Sequence, residues 1–97
     1  LHLNRSKMEG RSVSIKVSGR VQNVGFRYHA KEAAKRFGVK GFVRNQPDGT
    51  VYAEIIGTNL GVELFCEWCR KGPDWAKVKD VFICNLPDQD FTDFVIK

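Results

Sequence analysis

Ser12-Val13-Ser14-Ile15-Lys16-Val17-Ser18 alternates apolar and polar residues, and Gly19-Arg20-Val21-Gln22-Asn23-Val24-Gly25-Phe26-Arg27 follows it without alternating. The first stretch predicts a half-buried strand, with Val13, Ile15 and Val17 on one face. Beyond the second, Phe26, Ala30, Ala33, Ala34 and Phe37 recur at helical spacing while Lys31, Glu32, Lys35 and Arg36 fill the other side. Gly38 is placed to stop that helix. A glycine-bounded loop between strand and helix therefore delivers Arg27 to the first helical turn. N–H groups at a helix start lack partners and carry partial positive charge. A guanidinium beside them matches tetrahedral oxyanions two oxygens at a time. This stretch reads as a cradle for a phosphoryl group.

The same reading extends along the chain. Val39 to Asn45 predicts a second strand, Pro47-Asp48-Gly49 a tight turn, and Thr50 to Ile56 a third strand closed by Gly57. Asn59 is the expected N-cap of a second helix, with Leu64, Phe65, Trp68 and Cys69 on its apolar side. Arg70-Lys71-Gly72-Pro73 ends it. Val78 to Asn85 and Phe91 to Ile96 complete the strands. The order βαββαβ plus a short C-terminal edge strand predicts an α+β, ferredoxin-like split-βαβ sandwich, two helices on one face of a mainly antiparallel sheet. Residues 1–10 are polar and aperiodic and are expected to form a flexible extension, with Met8 a candidate native start; residues 11–97 form a single domain.

A chain of 97 residues buries one two-layer core and little more. No apolar run approaches the roughly 20 residues a membrane span needs, and no secretory leader is recognised, so a cytoplasmic protein with no membrane partner is expected. The formal net charge of +5 favours anionic partners, without separating a small phosphorylated molecule from nucleic acid. Three cysteines make an odd count, which argues against a disulfide framework. Cys66 and Cys69 have CxxC spacing but no second pair or His cluster to complete a zinc site, so metal binding is not expected.

A βαβ crossover makes the first two strands parallel, so their C-terminal ends share one edge of the sheet. That topology carries Asn45 toward Arg27, with the third strand filling the gap. A carboxamide there can hold a water by accepting from it and donating beside it; the plainer role is a turn asparagine before Gln46-Pro47. Arg20 widens the positive field or is merely solvated. His29 lies two residues past Arg27 on a different helix face and reads as surface. Lys16, Lys31, Lys35, Arg36 and Lys40 read as solvated. Phe42 and Tyr52 read as packing beneath the helices or along a strand edge, rather than as a platform for stacking bases. With no Ser-His-Asp or Cys-His arrangement and no carboxylate pair near the loop, any catalysis would rest on positioning and electrostatics.

Val17-Ser18-Gly19-Arg20-Val21-Gln22-Asn23-Val24-Gly25-Phe26-Arg27 resembles the first signature of the acylphosphatase family. Gly41-Phe42-Val43-Arg44-Asn45-Gln46-Pro47-Asp48-Gly49-Thr50-Val51, ending at Gly57, resembles its second. Cys69-Arg70-Lys71-Gly72-Pro73 is similar to the end of the second helix in bacterial-type members. The resemblance implies an enzyme that hydrolyses carboxyl-phosphate anhydrides to carboxylate and inorganic phosphate, with no cofactor, no metal and no phosphoenzyme. It implies that Arg27 and the cradle backbone hold the phosphate, that Asn45 positions the attacking water, and that the substrate itself takes the proton. The substrate-binding positions are then Arg20, Val21, Gln22, Asn23, Val24, Gly25 and Phe26. A small acyl phosphate is the expected partner, inorganic phosphate or another anion the product or inhibitor, and a monomer that does not bind nucleic acid the expected form. One departure stands out: the family usually has glycine where this chain has Asn23. The alternatives are a non-catalytic phosphate- or anion-binding domain whose turnover Asn23 has weakened, and a ferredoxin-like nucleic-acid binder.

Overall fold

The computed structural model describes residues 10–97. In chain order the elements are β1 (Gly10–Arg20), α1 (Phe26–Phe37), β2 (Lys40–Asn45), β3 (Val51–Thr58), α2 (Asn59–Lys71), β4 (Lys77–Asn85) and β5 (Phe94–Ile96). Alternation on β1 buries Val13, Ile15 and Val17, and on β3 it buries Val51, Ala53 and Ile55. Onto that face α1 lays Phe26, Ala30, Ala33 and Ala34, and α2 lays Gly61, Val62, Phe65, Cys66 and Cys69. Each large apolar side chain so buried contributes roughly 1.5–3 kcal/mol. Phe26 meets Trp68 edge-on at 5.2 Å between centroids, joining the two helices.

The sheet order is β4-β1-β3-β2-β5. β3 runs antiparallel to both β1 and β2, so those two are parallel with β3 between them. Val51 pairs with Val17 on one side and with Asn45 on the other. Asn45 is therefore level with the end of β1, where the loop departs. At that end the β1–β4 ladder slips between Ser18 and Gly19. Gly19 has φ +118°, and a Cβ there would lie 2.2 Å from the Lys77 carbonyl oxygen. Only glycine lets β4 pass this close to the bulge.

The structure corrects several expectations. β1 begins at Gly10, which pairs with Thr58, so the domain includes a residue assigned to the extension; residues 1–9 lie outside the described residues. Thr58, not Asn59, caps α2, its hydroxyl accepting from Gly61 N–H at 3.0 Å. Leu64 is exposed because the buried stripe runs through 62, 65, 66 and 69, and position 64 falls off it. β5 starts at Phe94 rather than Phe91; the Phe91 ring packs on Phe42 at 6.1 Å from outside the ladder. Phe42 and Tyr52 stand on the sheet face away from the helices, where alternation puts them opposite Val43, Val51 and Ala53. Phe42 is nevertheless buried there, with Arg44 at 5.6 Å and Lys97 at 4.1 Å over its ring.

Candidate active site

The loop between β1 and α1 owes its shape to two left-handed residues, Asn23 (φ +62°) and Gly25 (φ +78°). Gly25 is the N-cap of α1, with no side-chain capping bond and no acidic residue in the first turn. The positive end of the helix is thus unneutralised. Among the described residues, the N–H groups of residues 21–25 donate to no backbone or side-chain acceptor. Gly19 and Arg20 instead belong to the β1–β4 ladder, opposite Val78 and Lys77. The free amides span a shorter run than the whole glycine-bounded loop.

Val21, Asn23, Gly25, Phe26, Arg27 and Asn45 line one cavity of about 180 Å³, together with Tyr28 and Ile96. At roughly 30 Å³ per water, it has room for a tetrahedral oxyanion and a solvent molecule. Val21 and Phe26 have their side chains in the core, so they meet the cavity mainly as anchors of the loop. Arg27 is half-buried, and its Nη1 donates to the Lys97 carbonyl oxygen at 3.3 Å. A guanidinium has five N–H groups, so the remaining ones are available to an anion. Asn45, also half-buried, ends β2 on the opposite wall.

Three of the expected residues keep their side chains out of the cavity. Arg20 is exposed at the end of β1. Val24 packs against the core. Gln22 turns under the loop, its Nε2 donating to the carbonyls of Gln46 (2.8 Å) and Thr50 (2.9 Å). Those carbonyls flank the β2–β3 turn beside Asn45, so Gln22 ties one wall of the cavity to the other. His29 is also away from it: its Nδ1 lies 3.2 Å from Glu32 Oε1 on the flank of α1. Tyr28, Ile96 and the Lys97 carbonyl escaped the sequence reading. Tyr28 had a signal, an exposed aromatic next to Arg27; the other two depend on β5 lying parallel to β2, which no local pattern encodes.

Electrostatic perturbations sit beside the cavity rather than in it. Hydrogen bonds from the Thr50 hydroxyl (2.6 Å) and Thr50 N–H (3.0 Å) pull the Asp48 carboxyl down to about 2, helped by Lys16. These bonds hold the turn that follows Asn45. Burial pushes the Cys66 and Cys69 thiols up, keeping them protonated inside α2. On the open sheet face, the aromatics a base-stacking surface would need are covered by the chain's own cations, Arg44 over Tyr52 at 5.1 Å as well as over Phe42.

A ferredoxin-like domain with unpaired amides and an arginine at its first strand-to-helix turn has the features of an anion-binding domain. The acylphosphatase family profile matches residues 13–96. An acylphosphatase from Nocardioides sp. is 44% identical over 86 residues, covering 89% of this chain and 87% of its own. One from Lactiplantibacillus plantarum is 42% identical over 87 residues, covering 89% and 97%. The solved structure of an acylphosphatase from Coxiella burnetii superposes with a TM-score of 0.88 at 28% identity, covering 91% of this chain and 93% of that one. The chain belongs to the acylphosphatase family, and acyl phosphate hydrolysis is its activity.

Proposed function

We propose that Arg27 and the free amides of residues 21–25 bind the phosphoryl group of an acyl phosphate, and that Asn45 aims the attacking water. The observation that carries this reading is that Arg27 and Asn45 line one small cavity at an uncapped helix start. The water oxygen forms a bond to phosphorus as the bond from phosphorus to the acyl oxygen breaks. The electron pair leaves on that oxygen, giving a carboxylate, and the water proton passes to an oxygen of the substrate. Charge in a loose phosphoryl-transfer transition state lies on equatorial oxygens, where the guanidinium and amides stabilise it. A carboxylate is a good leaving group and needs little general acid, which suits a cavity that His29 does not enter. Alignment provides the rest. All of these groups come from one chain, which fits a monomer, and three free thiols fit a reducing compartment such as the cytoplasm. No observation favours the non-catalytic alternative.

The test is hydrolysis of benzoyl phosphate by wild type, Arg27→Ala and Asn45→Ala with chelator present. Wild type should turn over undiminished, and each variant should lose at least about 10²–10³ in kcat/KM while keeping its fold, the cost of one preorganised donor. Near wild-type turnover by Arg27→Ala would overturn the assignment. Loss of wild-type activity on chelation would overturn the metal-free course.

A further inference from the structure

A larger cavity borders the cradle cavity. Tyr28 and Ile96, which line the first, also line a groove of about 690 Å³ between α1 and β5. Both are partly solvent-exposed, 60% and 40%, at the junction. The groove's floor is apolar, with Ala34, Val39 and Phe94 all buried. Lys31 and Lys35 follow Tyr28 at i+3 and i+7, so the three form one stripe along α1. At 1.5 Å of rise per residue the lysines stand about 4.5 and 10 Å beyond Tyr28. Lys40, at the start of β2, closes the far end.

The charges of this groove are unevenly engaged. Among the described residues, Lys31, Lys35 and Lys40 form no ion pair. Two carboxylates share the rim: Glu32, whose Oε1 lies 3.2 Å from His29 Nδ1, and Asp93, which accepts from the Phe94 N–H at 2.8 Å. With three lysines against these two carboxylates, the groove lining carries a net positive charge over its apolar floor. An acyl chain leaving a phosphoryl group held at Arg27 can pass over Tyr28 and Ile96, which line both cavities.

We propose that this groove binds the acyl part of the substrate and selects acyl phosphates whose apolar chain ends in a second carboxylate. The inference rests on the reading that the phosphoryl group sits at Arg27. Each methylene buried on the floor is worth about fourfold in affinity. Each exposed lysine–carboxylate pair adds about two- to fivefold, and salt weakens it.

The experiment compares kcat/KM for hexanoyl phosphate and adipoyl monophosphate, equal in chain length and differing in the terminal carboxylate. At low salt the wild type should prefer the adipoyl compound by about fivefold or more. Lys31→Gln/Lys35→Gln should bring the ratio close to one, and because both substrates share any loss of folded enzyme, the ratio is insensitive to stability. Lys77→Gln/Lys79→Gln removes the same charge on β4, at the opposite edge of the sheet, and should retain the preference. A wild-type ratio near one, or equal loss of preference in both double variants, overturns the groove. Arg27→Ala separates the two readings: if it hydrolyses both substrates normally, the phosphoryl assignment fails, whatever the ratio.

Discussion

Asn23 holds φ +62°, a left-handed conformation that favours glycine, and it does so on the wall of the cavity. Asparagine is among the residues that reach the left-handed region at least cost, because its short amide bonds locally. The backbone of the cradle is thus the shape glycine would give, with a carboxamide added at its rim. Asn23→Gly should preserve or raise turnover of benzoyl phosphate. Stability should change by less than about 1 kcal/mol, since relief of the left-handed penalty is offset by a more disordered unfolded chain. Steady-state kinetics alongside a urea melt test this; a sharp fall in kcat with stability intact would mean that the carboxamide itself contacts the phosphoryl group. Arg27 was legible because its position follows from one strand, one loop and one helix start. Gln22 was legible as a loop residue, but its role as a tie to the Gln46 and Thr50 carbonyls was not, since that bond spans two elements.

The β2–β3 turn is the element that sets Asn45, and its acid behaviour follows from Asp48. The folded carboxyl, at about 2, lies below its ordinary value of 3.8, so the ionised form is the one the fold favours. Its contribution to stability is fully present above 3.8 and is lost as pH falls from there through about 2. Urea midpoints of wild type and Asp48→Asn should differ by a constant amount above about pH 5, and most of that difference should be gone near pH 2, where the folded carboxyl is half protonated. A difference undiminished near pH 2 would mean the side chain acts through shape and not through ionisation. Helix bounds were the most legible elements: α1 runs from Phe26 to Phe37, as its periodicity and Gly38 predict, with Gly38 at φ +71°. The α2 cap was misassigned by one residue because Thr58 and Asn59 both suit the position, and only the bond to Gly61 distinguishes them.

Across the whole molecule, the layer of helices on one sheet face sorts the three thiols by depth. Cys84 is exposed on β4, while Cys66 and Cys69 face the core from α2. A thiol reagent at neutral pH should modify Cys84 rapidly and the other two only as the domain opens, Cys69 being the more deeply buried. Mass spectrometry of the time course tests the order, and the slow phase should accelerate in mild urea. Rapid modification of all three in the folded protein would contradict the packing of α2.

Strand, cradle and first helix were readable because each is written within a few residues: alternation, glycine placement and a 3.6-residue period act locally and need no partner. The parallel order of β1 and β2 could also be inferred, since a helix crossover carries the chain back so that both strands run the same way. Which strand lies beside β2 on its outer edge could not. β5 is three residues long, and its pairing with Gly41, Phe42 and Val43 depends on burying Phe94 beneath both helices. That pairing brings Ile96 to the cavity and the Lys97 carbonyl to Arg27, and it builds the groove along α1. The chemistry of the site is thus local in origin, whereas its outer wall and its exit exist only once distant segments share one core, because their pairing is favourable only after that burial.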